Sequence, residues 1–101
     1  MTCRVDFGDW EKVVRFVLCA MRTLLADTKG RTLSVSVKKI CIYVMKERHG
    51  NCFAVVYNTL IMAAVKELFG PCLVAEFPKK ALYDVPCLKK ILEAYPSDGQ
   101  M

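Results

Sequence analysis

The side chains able to do chemistry are six cysteines, a single histidine and an excess of lysine. Cys3, Cys19, Cys41, Cys52, Cys72 and Cys87 are so spread that no two fall within four residues of each other, and His49 stands alone. Structural zinc sites are built from close ligand pairs, so no metal centre is expected. The chain carries no Gly-rich phosphate loop and no nucleophile beside a base at motif spacing, so no catalytic residue and no cofactor are expected. Asp6 and Asp9 form a carboxylate pair that helix capping explains more simply. Two chemistries remain: thiols can bond to one another, and ammonium groups can hold anions.

Six thiols are unusual in a cytosolic protein, where disulfides are rare except in hyperthermophiles. Asn51, Asn58 and Gln100 are the only side-chain amides, and a low amide content points the same way. The opening residues Met1 to Asp6 lack the charged-then-apolar pattern of a signal peptide, so a cytoplasmic protein is expected. Cys19 and Cys41 lie inside apolar runs and read as small buried hydrophobes. Cys72 and Cys87 differ. If Lys79-Lys80 is a two-residue hairpin turn, each cysteine stands seven residues from it and the two face each other across the ladder. A bridge there closes a loop of about 15 residues, worth roughly 3 kcal/mol in the chain-entropy account.

Fifteen Lys and Arg against ten Asp and Glu give a net charge of +5, which suits a polyanion partner. The 101 residues, 54% apolar and 25% charged, suit one globular domain rather than a disordered chain. The longest uncharged stretch, Gly50 to Val65, falls short of the roughly 20 residues of a membrane span.

These side chains must be positioned by regular elements. Asp9 caps a first helix running to Ala26, with Trp10, Val13, Val14, Val17, Leu18, Met21, Leu24 and Leu25 on its core stripe. Arg31 to Val35 is a short strand. Ser34 or Ser36 caps a second helix through Arg48 that turns Val37, Ile40, Cys41, Val44 and Met45 inward, and His49-Gly50 ends it. Asn51 caps a third helix from Cys52 to Phe69, stopped by Gly70-Pro71. Cys72 to Phe77 and Ala81 to Val85 form a hairpin. Pro86 opens a last helix, with Leu88, Ile91, Leu92 and Tyr95 apolar and Pro96 at its end. Residues 1–96 form the domain and 97–101 a loose tail.

The fold class is therefore α+β, in the order helix, strand, helix, helix, hairpin, helix. With the tight His49-Gly50-Asn51 turn between helices two and three, this order resembles a winged helix-turn-helix domain. It is similar to the small basic winged-helix proteins of hyperthermophilic archaea and their viruses. The resemblance implies a regulator that binds double-stranded DNA, its third helix at the major groove, its second across the backbone and its hairpin on a neighbouring phosphate or minor groove. On that mapping Asn51, Val55, Asn58, Met62 and Lys66 form an outward stripe of helix three, with Asn58 placed to read an adenine edge and Lys66 to reach a phosphate. Lys38, Lys39 and Lys46 on helix two, with Lys79 and Lys80 on the wing and Arg31, are the expected phosphate contacts, extended by Lys89 and Lys90.

Phe16, Cys19 and Thr23 fall off the core stripe of helix one and suggest a homodimer surface, which matches palindromic sites; Cys19 or Cys3 is a candidate cross-link. The rival reading is a protein-interaction module of the same fold, because Phe53 to Val65 carries no charge and is apolar nearly all round. A single-stranded nucleic-acid binder ranks last, with only Tyr43, Tyr57 and Tyr83 to stack on bases.

Overall fold

The structure, a computed structural model, describes residues 3–95; the expected Pro96 stop and the 97–101 tail lie outside the described residues. Helix α1 spans Trp10–Ala26, and Asp9 caps it by accepting the Lys12 amide at 3.0 Å. Its inward face buries Val13, Phe16, Val17, Ala20, Met21 and Leu24, while Trp10 remains 44% exposed at the first turn. The Asp27 amide donates back to the Leu24 carbonyl and closes the helix. Strand β1, Thr32–Val35, then alternates, with Leu33 and Val35 inward.

Ser36 caps the second helix by accepting the Lys39 amide at 3.1 Å. This helix begins as α2, Val37–Lys39, and widens at once into a π-helical segment, Ile40–Val44, whose Ile40, Cys41 and Val44 are buried. It stops four residues before the Arg48 expected from sequence, because Lys46 adopts a left-handed φ of 60° and turns the chain away. Helix α3, Val55–Phe69, has Ala54 rather than Asn51 at its N-cap position. The physical reason is covalent. Cys52 is bonded to Cys41, and its amide also meets the Cys41 sulfur at 3.3 Å, so Cys52 is held against the second helix and cannot join α3. A ten-residue connector, 45–54, therefore replaces the expected tight turn.

A single 3-10 turn, Gly70–Cys72, leads into β2, Leu73–Glu76, and β3, Ala81–Asp84. The three strands form one antiparallel sheet in the order β1-β3-β2. The Phe77 amide donates to the Lys80 carbonyl at 2.8 Å, so the turn residues are Pro78 and Lys79, one position earlier than expected. Helix α4, Val85–Glu93, has Asp84 as cap and Pro86 in its first turn. Leu88 and Leu92 of α4, Ile61, Val65 and Phe69 of α3, and Tyr83 of β3 complete the core around α1. Together the elements make a small α+β domain with four helices and one three-stranded antiparallel sheet. No described helix is long and apolar enough to cross a membrane.

All six cysteines are paired, as Cys3–Cys19, Cys41–Cys52 and Cys72–Cys87. The reading of Cys19 and Cys41 as unpaired hydrophobes is corrected. Cys72 and Cys87 are bonded as expected, by a different geometry. The ladder carries a bulge between Leu73 and Ala75, and Cys87 lies beyond β3 in the first turn of α4, where its amide donates to Asp84 at 3.0 Å. The bridge thus ties the entrance of β2 to the start of α4 around a corner of the sheet.

Candidate nucleic-acid interface

The register of the sheet decides which cationic side chains meet. Val35 lies opposite Ala81, so the end of β1 and the hairpin turn share one end of the sheet. Lys80 immediately precedes Ala81, and Lys38 and Lys39 follow within one helical turn of Ser36. Backbone placement therefore puts Lys38, Lys39, Lys79 and Lys80 at that end of the sheet. Thr32 lies opposite Asp84, three residues along β3 and about 10 Å away. Arg31, whose carbonyl accepts the Val85 amide, belongs to that far end with the α4 residues Lys89 and Lys90. The expected patch is split, and Arg31 leaves the main cluster.

Among the described residues the ion pairs are Lys12–Asp6, Arg15–Glu11 and Lys66–Glu76. Lys38, Lys39, Lys79 and Lys80 have no carboxylate within salt-bridge distance there. Lys66 does: its ammonium sits 3.3 Å from both Glu76 oxygens, which neutralises the one cation expected on α3. Lys39 is partly buried, and that desolvation draws its ammonium below the ordinary lysine value. The Lys38 stem covers Gly50, where any Cβ would overlap it, so the connector with exposed Arg48 and His49 is seated beside Lys38. Lys46 is exposed at the head of that connector.

Asn58 is turned away from the position expected of it. The outward face of α3 consists of Val55, Val56, Thr59, Ala63, Lys66 and Glu67, whereas Asn58 is half-buried on the flank of Ile61 and Val65. Its Oδ1 is buried and has no hydrogen-bond partner among the described residues. Asn51 is an exposed connector residue, not a cap.

The proposed dimer face is also corrected. Phe16 is only 1% exposed and packs edge-on against Phe7 at 5.3 Å and Phe53 at 5.8 Å. Cys19 is bonded to Cys3 within the chain, which removes both as a cross-link, and Thr23 turns its hydroxyl back to the Cys19 carbonyl. The aromatic packing beside it, completed by Tyr57, borders an open cleft of about 510 Å³ lined by Val5, Phe7, Cys52, Phe53, Ala54 and Tyr57.

Two exposed features escaped the sequence reading. Val56 is 66% exposed at the start of α3, beside Val55, which is outward as expected at 78%; Val56 is hidden in sequence because the run Phe53 to Val65 looks uniformly apolar. Phe77 is 46% exposed at the hairpin turn, with the Lys80 ammonium 5.5 Å above its ring. Its neighbour Pro78 marks the turn and was the available signal. Among the described residues no group of three His, Cys, Asp or Glu could hold a metal ion. No protein family, curated protein or solved structure matches this chain.

Proposed function

We propose that this chain is a non-enzymatic, double-stranded DNA-binding protein of winged-helix type, a regulator that holds the duplex chiefly by its phosphates. The observation that carries the reading is the placement of Lys38, Lys39, Lys79 and Lys80 at one end of the sheet without carboxylate partners among the described residues. Such ammonium groups displace condensed counterions from DNA and give affinity independent of sequence. The order of helices and strands supports the winged-helix assignment, although the long stapled connector departs from the tight turn of that family. Base reading by Asn58 is not part of the proposal. An intracellular place in a hyperthermophilic archaeon, or in a virus of one, accommodates the three bridges.

Fluorescence anisotropy of a labelled duplex at two salt concentrations tests it. Binding should weaken with log K falling about 0.9 per log unit of salt for each phosphate held. Changing all four lysines to Glu should abolish it. No binding at low salt with tens of micromolar protein would refute the reading.

A second reading, a protein-interaction module, rests on Val55 and Val56, which present β-branched apolar surface where a groove-reading helix carries polar groups. An interaction through that face survives the four-lysine reversal and is lost on changing Val55 and Val56 to Lys.

A further inference from the structure

We infer that Phe77 is a minor-groove wedge: the hairpin turn inserts its ring between two base steps and kinks the duplex, making Phe77 the residue that selects deformable sites. The inference rests on the DNA-binding reading and specifies what the hairpin does in it. Phe77 has no structural task that accounts for its position. It lies outside the buried core and outside the side chains packed against that core, at the β2–β3 turn just beyond the end of the three-stranded sheet. A single exposed apolar residue means little by itself; what sets Phe77 apart is the cationic turn around it.

Its surroundings favour a polyanion over an apolar protein groove. Pro78 follows it, Lys79 and Lys80 complete the turn, all three are exposed, and neither lysine has a carboxylate partner among the described residues. The nearest acid of the hairpin, Glu76, is occupied by Lys66. An apolar group flanked by cations at an exposed turn is the arrangement by which minor-groove proteins unstack a base step while holding the adjacent phosphates.

The dimensions require deformation. The two arms of the turn, Phe77 and Lys80, stand about 4.8 Å apart between backbones alone, whereas an undistorted minor groove is about 6 Å wide. The turn enters only if the groove opens, and a ring driven between base pairs bends the duplex toward the major groove and opens it. In the free protein the Lys80 ammonium covers the ring from 5.5 Å. A phosphate is a better partner for that charge than an exposed ring, so contact with DNA releases Phe77 as Lys80 transfers to the backbone.

Unstacking is easiest at pyrimidine–purine steps such as TA and hardest in stiff A-tracts. A wedge therefore yields sequence preference without reading any base edge. The test uses the full chain and two duplexes of equal length, one with a central TA step and one with a central A-tract, each labelled at both ends for energy transfer. Wild-type protein should shorten the end-to-end distance of the TA duplex on binding and prefer it roughly tenfold. Phe77→Ala should still bind both, with the bend gone and the preference near unity, and Phe77→Leu should keep the bend, because Leu also serves as a wedge. A bend unchanged in Phe77→Ala, or binding by wild type with no bend, overturns the wedge and leaves the phosphate-binding function standing. Tighter binding of the unpaired strand than of either duplex also overturns it, since the ring then stacks on free bases. Failure of wild type to bind any duplex overturns the function itself.

Discussion

The ammonium of Lys66, near the end of α3, is shared evenly between the two carboxylate oxygens of Glu76, at the end of β2. This exposed pair adds little stability, on the order of 0.5 kcal/mol, but it fixes which lysines are available to an anion.

Lys66→Ala should accordingly leave duplex affinity and its salt dependence nearly unchanged. Lys79→Ala and Lys80→Ala should each reduce the salt slope by about 0.9. Anisotropy titrations across a salt series separate the two classes, and a large loss in the Lys66 variant would place phosphate contacts on α3.

The Cys41–Cys52 bridge closes a short loop, with a sequence separation of 11. Replacing both cysteines by Ser should cost about 3 kcal/mol, read as a lower denaturant midpoint. In denaturant without reductant no thiol should titrate, and after reduction six should.

Gly50 lies under the aliphatic stem of Lys38, with no room for a Cβ. Gly50→Ala should therefore destabilise by about 1–3 kcal/mol through overpacking. Shortening the covering side chain in the double variant Gly50→Ala, Lys38→Ala should recover part of that loss. Purely additive effects would show that the two residues do not touch.

Lys46 holds a left-handed backbone at φ 60°, a conformation that costs a side-chain-bearing residue roughly 1–2 kcal/mol. Lys46→Gly relieves that cost and adds unfolded-chain entropy, so urea unfolding should show a net gain of up to about 1 kcal/mol.

Tyr83 is 1% exposed, and burial first, then the charge of Glu76, pushes its phenol above the ordinary value. A group whose folded value is raised contributes stability that is complete below its unfolded value near 10 and is lost as pH climbs through the folded value. Stability should therefore decline above pH 10, and more gently in Tyr83→Phe. Lys39 works in the opposite direction, its lowered value adding stability as pH rises toward 10.5.

The first helix was readable because Asp9 and the apolar spacing of Val13, Val17, Met21 and Leu24 agree in one period. The same local consistency marked β1, the hairpin and α4, whose Asp84 and Pro86 are a cap and a first-turn residue. What was hidden depends on non-local ties. Nothing around Cys52 announces that Cys41 holds it back, so the start of α3 was misplaced; on its outward face Val55 and Lys66 stand as expected, while Val56 takes the exposure expected of Asn58. The hairpin slipped by one residue because Lys79-Lys80 and Pro78-Lys79 are both polar pairs, and only the Phe77 amide to Lys80 carbonyl bond distinguishes them. Phe16 was assigned to the surface because a stripe drawn from α1 alone ignores the rings of Phe7 and Phe53, which reach it from other segments.

Six cysteines allow fifteen complete pairings. This chain uses the one in which the first, third and fifth cysteines each join the next along the sequence, at separations of 16, 11 and 15 residues. It is the one pairing of the fifteen in which no loop crosses or encloses another. Each bridge therefore closes its own segment of chain, and opening one leaves the other two loops intact.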